Sequence, residues 1–480
     1  MSETKPLFIP KYLAIEGGHQ LQGTVEISGA KNEVLGAMAA AVLTDRPVRL
    51  DNVPHISDVI DMGHIMMELG VDVGYDPDAR AMRLHAEKIT ENRLSEKAAK
   101  FRASYYLWGS LLARFSVTGE FDSLRVRMPG GCNFKGRATD YHFNLLQNIF
   151  GASIGKAGGE TVFTLPPARA DAARDNRPVY STDQVSHGAT FHWLLSAALS
   201  DRQKYIYNAS LEPEVPHLLG MLNKMGARLR GDGTTAISSF GRKSGGLMNG
   251  GAFNIMPDRM EAGSYALMAL ATRGNITLDG VDLKSCRPWT NSVIEILGNN
   301  RGKNFTQFTG DAEGEALCLD FRGQELDGRS FIMSPIPGKE TDLQQIWTAV
   351  LATARDSSTI IDPIWPNRNM HIEEMRKFGL DCQAEQIDID NINTPKALKI
   401  SVSPSQIRPA VAAGMDLRGT FGLLVLAAAA DGKSIIESPG WALRGYPNLV
   451  KNLQGLHVHV TQSEEGTALP LLPAFGAHSR

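Results

Sequence analysis

The sequence predicts an α/β protein of two domains, each built from three strand-and-helix repeats around buried helices, with the active site in the interdomain cleft. Three observations lead there. A chain of 480 residues exceeds what one ordinary core organises. A segment in which an amphipathic helix runs into a glycine and then an alternating strand recurs six times, and each copy follows a second, far more apolar helix.

In chain order the copies are MMELGVDV at Gly70, LQNIFGASI at Gly151, LNKMGARL at Gly226, EILGNN at Gly298, MRKFGLDC at Gly379 and NLQGLHV at Gly455, the fourth being the weakest. Their glycines lie roughly 70 to 80 residues apart, and each suits a helix C′ position of positive φ. The apolar helices upstream are NEVLGAMAAAVL, RASYYLWGSLLARF, GATFHWLLSAALS, EAGSYALMALAT, TDLQQIWTAVLATA and MDLRGTFGLLVLAAAA. A helix apolar on nearly all faces is buried, whereas one with a polar stripe packs on the outside. Each unit therefore reads as strands and an outer helix around an inner one.

Three units per lobe give two lobes of about 220 to 240 residues. The expected N-terminal lobe is 31–256 and carries the Cys132 loop. The expected C-terminal lobe is 257–465 completed by residues 1–30, because two extra strand-like segments (Tyr12 to Glu16 and Gly23 to Ser28) precede the first unit while the last unit lacks a partner strand. Residues 466–480, with the ending LPLLPAFGAHSR, show no periodicity and are expected to form an irregular tail.

Composition narrows the function. A net charge of −3 offers no global basic field for nucleic acid, so any anion site must be local. The longest apolar run, Phe421 to Ala430, is about half the ~20 residues a membrane span needs, and MSETKPLF lacks a secretory pattern. Cys132, Cys286, Cys318 and Cys382 are widely spaced, without metal-ligand or disulfide patterning, which fits a reducing cytoplasm.

The starts of the apolar helices carry polar groups: Lys31 and Asn32; Arg102; Ser186, His187 and Gly188; Arg259 and Glu261; Asp342; Asp416 and Arg418. Helix N-termini stabilise anions and disfavour cations. Each of Lys31, Arg102 and Arg418 taken alone reads most simply as a solvated surface cation. Together they point to a convergent anion site in the cleft, with a phosphate or carboxylate between them and the helix ends.

The loop MPGGCNFKGRATDYHF, from Met128 to Phe143, places Cys132 among Gly130, Gly131 and Gly136, with Lys135 and Arg137 favouring thiolate. Cys132 is thus a candidate reactive cysteine on a loop expected to be mobile without ligands, while Cys286, Cys318 and Cys382 read as inert core thiols. No GxGxxG, GxxxxGK[ST] or HExxH motif occurs, and His187 with His192 read as polar or packing residues.

The runs ISGAKN (Ile27 to Asn32), PGGC followed by Arg137, Asp140 and His142, VSHGAT, PDRMEAG, TDLQ, NRNMH, MDLR and RGY occur in an order that resembles the MurA-type enolpyruvyl transferases of the EPSP synthase superfamily, from about Tyr12 to Gln462. The resemblance implies an inside-out α/β barrel in each lobe and an enolpyruvyl (carboxyvinyl) transferase using phosphoenolpyruvate. Cys132 matches the family's general acid, which also forms a covalent adduct, and Asp342 matches the aspartate near the acceptor hydroxyl. Lys31 and Arg137 match phosphate-binding positions, and Arg102, Arg368, Arg418 and Arg444 match the arginines for phosphate, carboxylate and lobe closure. Asn32 matches an acceptor contact, and Arg137, Asp140, Ser186 and Gly188 match the uridine-nucleotide side. The implied partners are phosphoenolpyruvate and a uridine nucleotide, with no metal or organic cofactor, since side chains neutralise the charge. The SGAKN run and cysteine loop differ from the Ser-Lys-Ser pattern of EPSP synthases, which makes shikimate phosphate a poor acceptor.

Departures from the family pattern gather around the acceptor. Lys339 and Glu340 stand where the cell-wall enzymes usually have Phe and Pro, and Pro366 and Asn369 where they have Glu and an aromatic residue. Gly419 replaces a usual alanine, Pro447 a usual glutamate, and Asn133, Phe134 and Lys135 make a different loop tip. The expectation is a paralogue similar to the nikkomycin- and polyoxin-type enzymes acting on the 3′-hydroxyl of UMP. The alternatives are a divergent UDP-N-acetylglucosamine 1-carboxyvinyltransferase and a non-catalytic uridine-nucleotide binding protein.

Overall fold

The computed structural model describes residues 6–128, 140–167, 179–182, 184–242, 245–298, 306–311, 314–390 and 395–474. Its helices are α1 (Lys31–Ala40), α2 (Ser57–Glu68), α3 (Glu96–Lys100), α4 (Tyr105–Thr118), α5 (Asp140–Phe150), α6 (His187–Ala197), α7 (Glu214–Lys224), α8 (Arg259–Ala271), α9 (Arg287–Leu297), α10 (Gln344–Leu351), α11 (His371–Arg376), α12 (Leu417–Ala429) and α13 (Leu449–Gly455). The six apolar segments are α1, α4, α6, α8, α10 and α12, and α8 is buried along its whole length. They divide between two hydrophobic cores, one holding α1, α4 and α6 and the other α8, α10 and α12. The two-lobed α/β architecture of repeats is therefore the observed one.

Outside the inner helices lie, among the described residues, five four-stranded sheets, one three-stranded sheet and a two-stranded ribbon. One sheet shows why the strands sit as they do. Ser330–Ile332 pairs in parallel with Ser358–Asp362, which pairs antiparallel with Lys396–Val402, placing Phe331, Ile360 and Ile400 side by side. All three are buried, and Phe331 meets Trp347 of α10 edge-on at 5.0 Å. Alternation along a half-buried strand sends these apolar side chains inward together.

The glycine rule holds at Gly70, Gly151, Gly226, Gly298 and Gly379, which have positive φ. It fails at Gly455, which is the last residue of α13, and His457 takes the left-handed conformation with φ 60°.

The chain passes between the cores along two segments that run side by side. Tyr12–Gly17 pairs with Gly432–Glu437 and with His459–Gln462, and Gln22–Glu26 pairs with Asn275–Val281, all on the α8/α10/α12 core. Gly251–Asn254 pairs with Val48–Asp51 on the other. Where the chain crosses, the Ala30 amide donates to the Met256 carbonyl at 2.7 Å and the Asp258 amide to the Ser28 carbonyl at 2.8 Å. Two buried carboxylates hold the crossing in matching positions. Glu33 Oε2 accepts from the Met256 amide at 2.8 Å, and Glu261 Oε2 accepts from the Ser28 amide at 2.9 Å.

In the expected irregular tail, Gly466–Ala468 form a strand, while 469–474 have no regular secondary structure but are packed. Gly466–Ala468 pairs antiparallel with Phe8–Pro10, and the Tyr75 amide donates to the Pro473 carbonyl at 2.8 Å. Leu472 is buried in the α1/α4/α6 core against Gly63, where an added Cβ would lie 2.7 Å from Leu472 Cδ1. The segment is ordered by sockets elsewhere in the fold rather than by periodicity of its own. No helix among the described residues is long and apolar enough to cross a membrane.

Candidate active site

The N-terminal ends of α1, α4, α6, α8 and α10 converge on a cavity of about 550 Å³ between the two cores. Lys31, Asn32, Arg102, Ser186, Gly188, Asp342, Arg368 and Arg444 all line it. Arg418 does not appear among the described lining residues; it is buried behind, with Nη1 donating to the Tyr446 hydroxyl at 2.7 Å. Cys132 and Arg137 lie outside the described residues, as does the side chain of Asp140, whose backbone begins α5.

Lys31 opens α1, where its Nζ lies 2.6 Å from Asp58 Oδ2. Arg444, from the other core's side, donates through Nε to Asp58 Oδ1 at 2.8 Å. Burial pushes the Asp58 carboxyl up, but the two cations outweigh it and hold the group below the usual carboxylate range. Lys31 and Arg444 are thus pre-assembled on a carboxylate. Arg102, which also lines the cavity, forms no ion pair with any described residue.

Asp342 lies in the 3₁₀ turn Thr341–Leu343 ahead of α10, with its side chain 44% exposed and one carboxylate oxygen 3.9 Å from Arg368 Nη1. Arg368 is buried and bound to Asp362 at 2.8 Å and to Thr341, so its plane is fixed beside Asp342. Ser186 caps α6, its Oγ accepting from the Ala189 amide at 3.2 Å. Gly188 admits no side chain, because a Cβ there would stand 2.3 Å from the Tyr105 hydroxyl.

Sequence reasoning missed a second buried network in the same wall. His187, read as a polar or packing residue at a helix start, lines the cavity with Nδ1 2.5 Å from Glu212 Oε2. Burial pulls its pKa down, but Glu212 and Glu214 raise it above the ordinary histidine value. Arg259 lies 3.1 Å from Glu214, 2.8 Å from Glu340 and 3.9 Å from Glu212. His187, Glu212 and Glu214 offer donor atoms within 4.8 Å of one another, but the Arg259 guanidinium already supplies their positive charge. Glu340 is pushed up to about 7 by burial, with Arg259 opposing and Glu212 and Glu214 reinforcing. The signal for Arg259 was present in PDRMEAG; Asp58 and Glu212 carried none beyond being acidic near helix starts.

Two thiols behave as expected. Cys286 is buried and pushed up to about 12, and burial also raises Cys382. His192 is fully buried and pulled down to about 3, a neutral packing residue in contact with His142.

A cleft lined by Lys31, Arg102, Arg368, Arg444 and a carboxylate is suited to a phosphate- and carboxylate-bearing donor. The family profile for EPSP synthase (3-phosphoshikimate 1-carboxyvinyltransferase) matches residues 15–453. The chain is 31% identical over 455 residues to the UDP-N-acetylglucosamine 1-carboxyvinyltransferase of Maricaulis maris (strain MCS10), covering 95% of this chain and 99% of that relative. It is 33% identical over 454 residues to UDP-N-acetylglucosamine 1-carboxyvinyltransferase 2 of Streptococcus thermophilus (strain CNRZ 1066), covering 94% and 99%. The solved structure of the enolpyruvyl transferase NikO from Streptomyces tendae shares the fold, with a TM-score of 0.76 at 21% identity over 97% of this chain and 100% of that one. The chain belongs to the EPSP synthase/MurA family and is an enolpyruvyl transferase that uses phosphoenolpyruvate.

Proposed function

We propose that the enzyme transfers the enolpyruvyl group to a hydroxyl of a uridine nucleotide with release of phosphate, and that its preferred acceptor is the 3′-hydroxyl of UMP, as in nucleoside antibiotic biosynthesis. The observation that supports the choice of acceptor is that two of the altered residues, Glu340 and Pro366, line the cavity. Glu340 is bound to Arg259 at 2.8 Å, and Lys339 lies 2.7 Å from Glu295. Pro366 lines the same cavity. At Gly419 the alanine usual in cell-wall enzymes would bring a Cβ to 2.9 Å from both Asp416 Oδ2 and Gln345 Nε2. Altered residues in the cavity wall, tied into partners as Glu340 is to Arg259, favour a changed substrate over drift.

In this reading Cys132 protonates C3 of phosphoenolpyruvate, and Asp342 takes the proton of the attacking acceptor hydroxyl. Lys31, Arg102, Arg137, Arg368 and Arg444 receive the phosphate and carboxylate, with Arg418 acting from behind through Tyr446. Asn32, Asp140, Ser186 and Gly188 hold the acceptor, together with Arg137. The second reading, transfer to UDP-N-acetylglucosamine, is favoured by the activity named for the relatives at 31% and 33% identity.

The deciding experiment is phosphate release from phosphoenolpyruvate with UMP and with UDP-N-acetylglucosamine in parallel. Turnover with UMP is the expected result. Turnover with the sugar nucleotide alone overturns the assignment of UMP.

A further inference from the structure

Two clusters of opposite balance line the cavity. Lys31 and Arg444 share Asp58, two cations on one acid. The Arg259 guanidinium is instead shared among acids: its Nε lies 3.1 Å from Glu214, its Nη1 2.8 Å from Glu340 and its Nη2 3.9 Å from Glu212. His187 is the only other positive partner of this group among the described residues. Asp342 adds a fourth carboxylate, close enough that its charge opposes ionisation of Glu212. A surface with more carboxylates than cations disfavours phosphate and carboxylate groups and favours uncharged donors, above all hydroxyls.

Glu340 is the member of this cluster that departs from the family pattern, adding a carboxylate two residues ahead of Asp342 where the cell-wall enzymes usually have proline. It is buried at the cavity edge, and Oε1 accepts from Arg259, while no hydrogen bond from another described residue reaches Oε2. Because Glu214 holds the other side of Arg259, the Glu340 carboxyl is fixed in place before any ligand arrives. Burial pushes Glu340 up to about 7 although Arg259 opposes it, so the carboxylate is short of donors, and a ligand hydroxyl supplies one.

We propose that Glu340 is a specificity-determining residue whose carboxylate accepts a hydrogen bond from the acceptor hydroxyl next to the one that reacts. The turn that carries Asp342 then reads a vicinal diol: Asp342 takes the attacking hydroxyl and Glu340 its neighbour. The inference rests on the reading of UMP as acceptor, for which the neighbour is the ribose 2′-hydroxyl. The enzyme is then selective for ribonucleotides, since a 2′-deoxyribose leaves a buried acceptor without its donor.

The test compares kcat/KM for phosphate release from phosphoenolpyruvate with UMP and with 2′-deoxyuridine monophosphate as acceptor, alongside UDP-N-acetylglucosamine. The proteins are the wild type, Glu340→Gln and Glu340→Leu. Both variants leave Arg259 its ion pair with Glu214, and Glu340→Gln, which keeps the shape, decides alone where Glu340→Leu does not fold. We expect the wild type to prefer UMP over its 2′-deoxy analogue at least about tenfold, as loss of a hydrogen bond to a charged group predicts. That ratio should fall at least about threefold in Glu340→Gln and to near unity in Glu340→Leu. Equal use of the two mononucleotides by the wild type, or a ratio that the folded variants retain, overturns the role of Glu340 and leaves UMP standing as the acceptor. Turnover with UDP-N-acetylglucosamine and with neither mononucleotide overturns the acceptor reading and the inference with it.

Discussion

Asp58 and Arg444 meet across the cleft although 386 positions separate them in the chain. The Asp58 carboxylate also holds Lys31, so one buried acid organises cations from both sides of the site. Asp58→Asn removes the carboxylate that Lys31 and Arg444 share, and we expect a loss of about 3 kcal/mol in stability and about 10²-fold in kcat/KM for phosphoenolpyruvate. The sign with pH is fixed, because the folded carboxyl lies below its ordinary value. Its stabilising contribution is complete above the usual carboxylate range and disappears as pH falls through the folded pKa. Urea melts of both proteins between about pH 3 and 7 should converge at the acid end.

Glu261 behaves in the opposite sense. Burial, with Asp258 reinforcing, pushes it up to about 8 despite its hydrogen bonds from Ser28. The protonated acid is the form that fits, so its contribution is complete at acid pH and is lost as pH rises towards and through 8. Glu261→Gln should match wild-type stability within about 1 kcal/mol near pH 4 and flatten the decline between about pH 4.5 and 8, so that it is the more stable protein at neutral pH. Denaturant midpoints across that range read both effects.

The Tyr105 hydroxyl occupies the space that a side chain at position 188 would need. Gly188→Ala should cost about 1–3 kcal/mol through overpacking. Tyr105→Phe in the same chain should return most of it, because the colliding oxygen is gone. Paired thermal melts measure the coupling.

Asp342→Asn keeps shape and removes basicity. On the role assigned above, kcat should fall at least about 10²-fold while acceptor affinity changes little. Single-turnover phosphate release beside a binding isotherm separates the two.

Much of this was legible because burial and periodicity are encoded locally. Helices α8 and α12 announce themselves as apolar on every face, and the glycines ending the outer helices mark where each repeat turns. Gly455 misled because the next turn could place the left-handed residue at His457 instead. The order of Leu472 was invisible because its socket is Gly63, about 400 residues earlier in the chain. Asp58 was missed for a related reason: an aspartate in the first turn of a helix is ordinary for helix stability, and only the fold brings Arg444 to it. His142 and His192 are 50 positions apart, and the bond between them follows from the packing of α5 on α6.

The ordered tail bears on how the lobes move. Two strands of chain crossing side by side behave as a door hinge, free to swing about one line. The segment from Gly466 to Pro473 leaves the sheets of one lobe and anchors in the other, at Gly63 and Tyr75 rather than at the crossing. Such a third attachment is expected to limit how far the cleft opens and to leave the closed form unaffected, as a door chain does. Leu472→Ala should therefore widen the unliganded conformation, seen as a larger radius of gyration in solution scattering, while the substrate-bound protein keeps its wild-type dimensions.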